Sequence, residues 1–155
     1  MTKTNSSKRR PAPPKSPPKP SYELDGQVGF ILRQASQRHA AIFFNQIGAN
    51  LTPTQWAAMS KLAETGPCSQ NHLGRLTAMD VATIKGVIDR LTARGLTETG
   101  RDPRDGRRLL VKLTRSGQAM VEKLAPNAFR ISEATLAPLT AKEREAFLGL
   151  LAKLR

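Results

Sequence analysis

Cysteines, aromatic residues and long apolar runs are scarce in this sequence of 155 residues. A single cysteine excludes an internal disulfide and a cysteine-based zinc site within one chain, and the two histidines lack metal-ligand spacing. No apolar run approaches the roughly 18 residues that a membrane span needs, and no signal peptide is recognisable at the start. We therefore expect a cytoplasmic protein that has no membrane span, no metal site and no cofactor.

Acidic residues are also scarce, and their shortage indicates the kind of partner. Only 12 Asp and Glu stand against 25 Lys and Arg, which gives a formal net charge of +13. Such an excess favours a polyanion such as nucleic acid. Residues 1–21 contain six of the basic residues, no acid and the helix-incompatible stretch PAPPKSPPKP. We interpret them as a disordered basic arm, which either solubilises the protein or attracts phosphates without sequence preference.

Helix signals follow this arm. Apolar residues at three- and four-residue spacing predict a long first helix from Leu24 to about Ala49. The second helix is predicted to begin after Thr52, because this N-cap residue precedes Pro53 at the first helical position and Gln55 completes a capping box.

Two further helices are predicted near the end of the chain. The first is capped by Thr114 and runs to about Leu136, with a kink or break at Pro126. The last helix has a capping box formed by Thr140 and Glu143.

The middle of the chain predicts two short helices and a basic hairpin. Ser69 is the expected cap of the first helix, and Thr77 is the expected cap of the second, which places Asp80 at its third position and ends at Gly95. Two strand-like runs follow, and RDPRDGRR forms the turn between them. Two helices joined by a tight turn and followed by a basic hairpin are typical of a winged helix-turn-helix.

In this arrangement the second helix would enter the major groove of DNA. Its core-facing stripe is predicted to consist of Val81, Ile84, Ile88 and Leu91. The DNA-contacting residues of the cap and the opposite face are predicted to be Thr77, Ala82, Thr83, Lys85, Gly86 and Arg90. The alternative for Lys85 and Arg90 is an ordinary solvated helix face. We favour DNA contact because the basic hairpin follows directly.

The hairpin is predicted to carry the remaining DNA contacts. Arg104 and Arg107 lie near its tip, where they suit the negative potential of a narrow minor groove. Asp102 is expected to brace Arg108 across the hairpin through a charge-assisted pair, which would hold the arginines in place.

From about Gly29 to Leu154 the sequence resembles the MarR family of bacterial transcriptional regulators. The resemblance rests on LTPTQWAAMSKL, LGRLTAMDVATIKGVIDRLTARGL and DPRDGRRLLVKLTRSG, which occur in the family's order. It implies a mainly α fold within residues 22–155, with residues 22–50 and 115–155 as the dimerisation helices. Residues 51–114 would form the winged helix-turn-helix with its two-stranded wing. A homodimer of this kind would read a pseudo-palindromic operator in double-stranded DNA, and the chain looks most similar to repressors of nicotinate catabolism.

The resemblance also implies a site for a small aromatic carboxylate between the dimerisation helices and the DNA-binding lobe. Arg38 and His39 interrupt the apolar stripe of the first helix, where a polar group needs a partner. We predict that they bind the acid and that Phe43 and Trp56 form the walls. The alternative is a core histidine bonded to a carbonyl group and an arginine directed into solvent.

The leading functional hypothesis is therefore a sequence-specific repressor that a small aromatic acid, such as a hydroxynicotinate, releases from its operator. The alternative is a constitutive architectural DNA-binding protein without a ligand switch. An enzyme is not expected, because the sequence contains no phosphate-cradling glycine loop, no clustered carboxylates and no nucleophile with a paired base. Cys68 precedes a helix start, where a thiolate would be stabilised, but a bystander role is favoured over redox sensing.

Overall fold

The computed structural model describes residues 21–155, so all but the last residue of the predicted basic arm lies outside the described residues. The described part of the chain contains a short 3-10 turn, six α-helices and one antiparallel hairpin. The elements are the turn Leu24–Gly26, α1 Val28–Gln46, α2 Pro53–Thr65, α3 Gln70–Leu76, α4 Val81–Ala93, β1 Thr97–Arg101, β2 Leu109–Leu113, α5 Arg115–Leu136 and α6 Ala141–Ala152. The predicted mainly α fold with a two-stranded hairpin is confirmed.

Local cap signals place most of the helix starts correctly. The predicted N-caps that the structure confirms are Thr52, Ser69, Thr114 and Thr140. Each of these hydroxyls accepts a hydrogen bond from a backbone N–H of the first helical turn, which satisfies a group that the helix itself leaves unpaired. Gln55 and Glu143 complete the two predicted capping boxes.

The predicted bounds of the first helix and the predicted break in α5 are wrong. The first helix begins at Val28 and ends at Gln46, since Gly48, Ala49 and Asn50 all adopt left-handed backbone conformations that end a right-handed helix. The predicted break in α5 is absent as well, because this helix continues through Pro126. A proline removes only one intrahelical bond, and the turns on either side keep theirs.

The core begins where α2, α3 and α4 pack together and against the hairpin, and it continues between α1 and α5. Leu62, Leu73, Ile84 and Leu91 are almost completely buried there, and Val111 of β2 closes the cluster. A backbone bridge missing from the sequence-based prediction joins the loop before α3 to the hairpin, because Cys68 and Val111 exchange N–H···O bonds of 3.1 and 2.9 Å. This bridge attaches the base of the hairpin to the helical lobe.

Candidate nucleic-acid interface and ligand pocket

The helix α4 presents the polar face that the sequence predicts. Ala82, Thr83, Lys85 and Arg90 are exposed, and Gly86 between them is half-buried. A Cβ atom at Gly86 would lie 3.4 Å from Nη1 of Arg90, so the glycine leaves room for that guanidinium. Two of the polar side chains are already paired within the helix: Thr83 Oγ1 donates to Asp80 Oδ2 at 3.0 Å, and Lys85 Nζ donates to Asp89 Oδ2 at 2.6 Å.

The start of α4 differs from the prediction. Asp80 is the N-cap, and its Oδ1 accepts the backbone N–H of Thr83 at 2.7 Å. That bond, followed by the Thr83 hydroxyl, lowers the pKa of the Asp80 carboxyl. Because the helix begins at Val81, this residue is 67% exposed and does not belong to the buried stripe. Val87 takes its place in the core.

Thr77 ends α3 rather than capping α4. Its hydroxyl donates to the Leu73 carbonyl at 2.7 Å, and Ala78 then takes a left-handed conformation with φ 53°. The turn is tight, since a Cβ atom at Gly74 would lie 3.0 Å from the carbonyl oxygen of Met79. The predicted cap role of Thr77 is therefore wrong, and its contact with DNA stays a prediction.

The hairpin turn is ordered by its two aspartates, although not through the predicted ion pair. Asp102 Oδ1 accepts the backbone N–H of Arg104 at 2.8 Å, and Asp105 Oδ1 accepts that of Arg107 at 3.1 Å. Asp102 contacts Arg108 only through the backbone, where its N–H donates to the Arg108 carbonyl at 2.9 Å. Within residues 21–155 the ion pairs are Lys61–Glu64, Lys85–Asp89 and Glu98–Lys112, so the predicted Asp102–Arg108 pair does not form.

The aspartates shape the turn without pairing with the guanidinium groups of Arg104 and Arg107. Both carboxylates bond to backbone N–H groups two residues ahead, as in an Asx turn, and this geometry competes with a side-chain pair across the hairpin. The side chains of Arg104 and Arg107 are exposed, and neither guanidinium has a partner among the described residues. Two cations without a partner among the described residues therefore lie at the tip of the hairpin.

Three of the four predicted ligand residues come together in one cavity. His39, Phe43 and Trp56 line a cavity of about 240 Å³ between α1, α2 and α5, and Ile131 and Ser132 of α5 complete its wall. His39 also lines a neighbouring cavity of about 620 Å³ that extends towards α6. The α5 residues lacked a recognisable signal in the sequence, because only the packing of α5 on α1 places them here.

His39 is held by α5 in a defined orientation. Its Nδ1 lies 2.9 Å from the Thr135 hydroxyl, and that hydroxyl donates its hydrogen to the Ile131 carbonyl at 2.8 Å. A threonine has a single O–H, and with that hydrogen directed at the Ile131 carbonyl the Thr135 oxygen can only accept from His39, so we assign the proton to Nδ1. The other ring nitrogen, Nε2, is the atom left for a ligand.

Arg38 does not line this cavity. Its guanidinium donates to the carbonyls of Thr135 at 2.6 Å and Ala134 at 3.1 Å, near the C-terminal end of α5. The negative end of the helix dipole favours a cation at this position. In the structure Arg38 therefore joins α1 to α5, and neither predicted role, ligand binding or a side chain directed into solvent, describes that contact.

Cys68 lies in an environment that disfavours its reactive form. Burial raises the pKa of the Cys68 thiol, whereas oxidant sensing needs the thiolate. Among the described side chains, His, Cys, Asp and Glu form no group of three or more that could hold a metal ion. No helix in residues 21–155 has both the length and the apolar composition for crossing a membrane.

An α-helix that presents a polar face, a tight turn before it and a basic hairpin after it define a winged helix-turn-helix protein. Residues 49–108 match the MarR family. The transcriptional repressor NicR of Pseudomonas putida is 44% identical over 134 residues, which are 86% of this chain and 85% of NicR. The chain belongs to the MarR family of transcriptional regulators, and the predicted resemblance is confirmed.

Two solved structures are similar over nearly their whole length. A probable transcriptional regulator from Pseudomonas aeruginosa is 59% identical, with a TM-score of 0.84 over 86% of this chain and all of that one. BpsR of Bordetella bronchiseptica, whose DNA binding is regulated by 6-hydroxynicotinic acid, is 42% identical. Its TM-score is 0.82, over 87% of this chain and 97% of BpsR.

Proposed function

We propose that this protein is a repressor that binds a specific operator and is released by a small aromatic acid of the hydroxynicotinate type. The similarity to the repressor NicR and to BpsR, which responds to 6-hydroxynicotinic acid, supports both the repressor role and the ligand class. The main structural support for a ligand response is the cavity in which Phe43 and Trp56 flank His39. Flat aromatic walls suit a planar ring, and one polar group at the wall orients it.

The free Nε2 of His39 explains why a hydroxylated ring acid would suit this cavity. In the neutral ring this atom accepts a hydrogen bond from a ring hydroxyl or a ring N–H group. In the protonated ring it donates to a carboxylate. Arg38 is not needed for either contact, because its guanidinium is occupied by α5 carbonyls.

The DNA-binding half of the proposal assigns the exposed face of α4 to the major groove and the hairpin tip to the minor groove. The small Ala82 and Gly86 permit close approach, and Arg90 has no ion-pair partner among residues 21–155. Thr83 and Lys85 would exchange their present partners, Asp80 and Asp89, for bases or phosphates. Arg104 and Arg107 would supply the minor-groove contacts.

We further propose that two copies form the functional unit. None of the residues of α6 is buried, although the helix contains Phe147, Leu148, Leu150 and Leu151 and is followed by the exposed Leu154. The start of α1 also exposes Val28, Ile31 and Leu32. Exposed apolar surface of this extent is typical of a protein–protein interface, and a second copy would place two α4 helices on a pseudo-palindromic operator.

Light scattering should give twice the mass of one chain, and a monomer at micromolar concentration would exclude this assembly.

The test of the repressor proposal is operator release. We expect specific binding to DNA upstream of the protein's own gene, and we expect 6-hydroxynicotinate or salicylate to weaken it in a fluorescence anisotropy titration. Equal affinity for random DNA at physiological salt would overturn the repressor proposal. Specific binding that no small acid weakens would instead favour the constitutive architectural protein.

The variant His39→Asn separates the ligand role of the histidine from its structural role. The asparagine amide still reaches the Thr135 hydroxyl in place of Nδ1, but it lacks an equivalent of Nε2. We expect near-normal operator affinity and a roughly tenfold higher 6-hydroxynicotinate concentration for half-release, as loss of one buried hydrogen bond predicts. His72→Ala, which removes the exposed histidine of α3, is the control for ligand release. A normal ligand response of His39→Asn would place the effector elsewhere.

A further inference from the structure

The connector between α1 and α2 has an unusual backbone. Gly48, Ala49 and Asn50 have φ values of 79°, 56° and 50°, so three consecutive residues are left-handed. Alanine in particular is disfavoured in this conformation, which persists only where surrounding contacts enforce it. Ile47 and Leu51 at the two ends of the connector are each 1% exposed, so both ends are anchored in the core.

Two side chains from different parts of the molecule hold this connector. Arg94, at the C-terminal end of α4, donates from Nη2 to the Ala49 carbonyl at 2.7 Å and from Nη1 to the Asn50 carbonyl at 3.2 Å. Asn127 of α5 donates from Nδ2 to the Ile47 carbonyl at 3.1 Å. The three carbonyls that end or follow α1 therefore bind donors from the helix proposed to read DNA and from the helix proposed to form the dimer.

We propose that Arg94 is a positioning residue for operator binding. It fixes the end of α4 on the connector, and Asn127 fixes the connector on α5, so the two contacts together set the position of α4 relative to the dimer helices. The two α4 helices of a dimer must reach two operator half-sites at the same time, so the distance between the helices determines the affinity for the operator. This inference rests on the proposed operator binding and adds to it a residue that does not contact DNA.

The contacts of Arg94 distinguish this role from direct phosphate binding. Both terminal nitrogens of its guanidinium are engaged by carbonyl oxygens that lie 44 and 45 residues away in the sequence. Arg90, one turn earlier on the same helix, is exposed like Arg94 but has no such partners among the described residues. A residue that binds phosphate contributes to nonspecific as well as specific affinity and to the salt dependence of both. A positioning residue contributes to specific affinity alone.

Asn127 allows a second test, because this residue is on α5 and does not share a contact atom with Arg94. If both side chains act through the connector, removing either one frees it. The variants Arg94→Ala and Asn127→Ala should then have the same phenotype, and the double variant should lose less than the product of the two single losses.

The experiment measures the affinity of the full-length protein for a footprinted operator and for random DNA at several salt concentrations. We expect Arg94→Ala and Asn127→Ala each to weaken operator binding about tenfold, as loss of a charge-assisted or a partly buried hydrogen bond predicts. Affinity for random DNA and the salt slope should stay at wild-type values. Arg94→Lys should recover part of the loss, since an ammonium reaches one carbonyl but not both. Arg90→Ala, a direct contact, should lower both affinities and reduce the salt slope by about one.

Thermal denaturation of each variant, monitored by circular dichroism, should show that each variant retains the fold. A reduced salt slope in Arg94→Ala would make Arg94 a phosphate contact and overturn the inference. Wild-type operator affinity in Asn127→Ala would overturn it as well, because the connector would then have no role. Absence of operator preference in the wild-type protein would instead overturn the proposed function.

Discussion

Replacement of Gly117 by alanine is expected to produce the largest loss of stability of any glycine-to-alanine replacement in this protein. A Cβ atom there would lie 2.0 Å from the carbonyl oxygen of Leu96 and 3.2 Å from a methyl group of Leu113. The Leu96 carbonyl cannot rotate away, because it also accepts the N–H of Thr114 at 3.1 Å. The backbones of α5 and of the wing must therefore separate, at a cost on the order of 3 kcal/mol.

The joint at Gly117 connects α4, the wing and α5, so its disruption should also affect DNA binding. We expect a melting temperature lower by about 10 °C for a loss of this size in a chain of this length, and weaker operator binding by the protein that remains folded. The control is Gly100→Ala in β1, where a Cβ atom would meet nothing within 4 Å. If both variants melt alike in a calorimeter, the close approach at Gly117 does not exist.

Removal of Arg104 and Arg107, the two arginines at the tip of the wing, is expected to have the largest effect on DNA affinity. Each guanidinium at the tip can neutralise a phosphate or enter the minor groove, and each such contact contributes roughly tenfold in affinity. Arg104→Ala combined with Arg107→Ala should therefore weaken operator binding about a hundredfold and reduce the salt slope by about two. Fluorescence anisotropy at a series of salt concentrations measures both quantities.

The same double variant should melt at the wild-type temperature, because neither guanidinium has a partner among the described residues. Lys142→Ala is the matched control, since it removes an exposed charge from α6, outside the DNA-binding lobe. We expect operator affinity close to wild type for this control. Unchanged affinity after loss of both tip arginines would remove the hairpin tip from the proposed interface.

The start of α4 shows why one helix boundary was predicted incorrectly. Both Thr77 and Asp80 are good N-cap residues, and either is compatible with the apolar spacing that follows. The turn between α3 and α4 excludes Thr77 as the cap, because its hydroxyl bonds back to the Leu73 carbonyl. Ala78 is left-handed, and Gly74 packs against the backbone of Met79. A tertiary contact decided between two equivalent local signals.

The candidate ligand site shows even more clearly that local sequence signals do not predict contacts made in the tertiary structure. Four residues were predicted from an interrupted apolar stripe and a family resemblance, and the structure brings His39, Phe43 and Trp56 together. Arg38 directly precedes His39 in the sequence but lies outside the cavity, because α5 carbonyls 96 and 97 residues away bind its guanidinium. The spacing of residues within one helix contains no information about such a partner.

The sequence by itself determined the class of fold, the order of the elements, the capped helix starts after Thr52, Ser69, Thr114 and Thr140, and the basic hairpin that follows the helix pair. These features depend on hydrogen bonds and spacings within about four residues, which local chemistry sets. Only the tertiary structure decided the partners of Arg38, Arg94 and Asn127, because each of these side chains donates to a carbonyl more than 40 residues away. Such contacts depend on how whole helices pack, and that packing results from the entire apolar core rather than from any one segment.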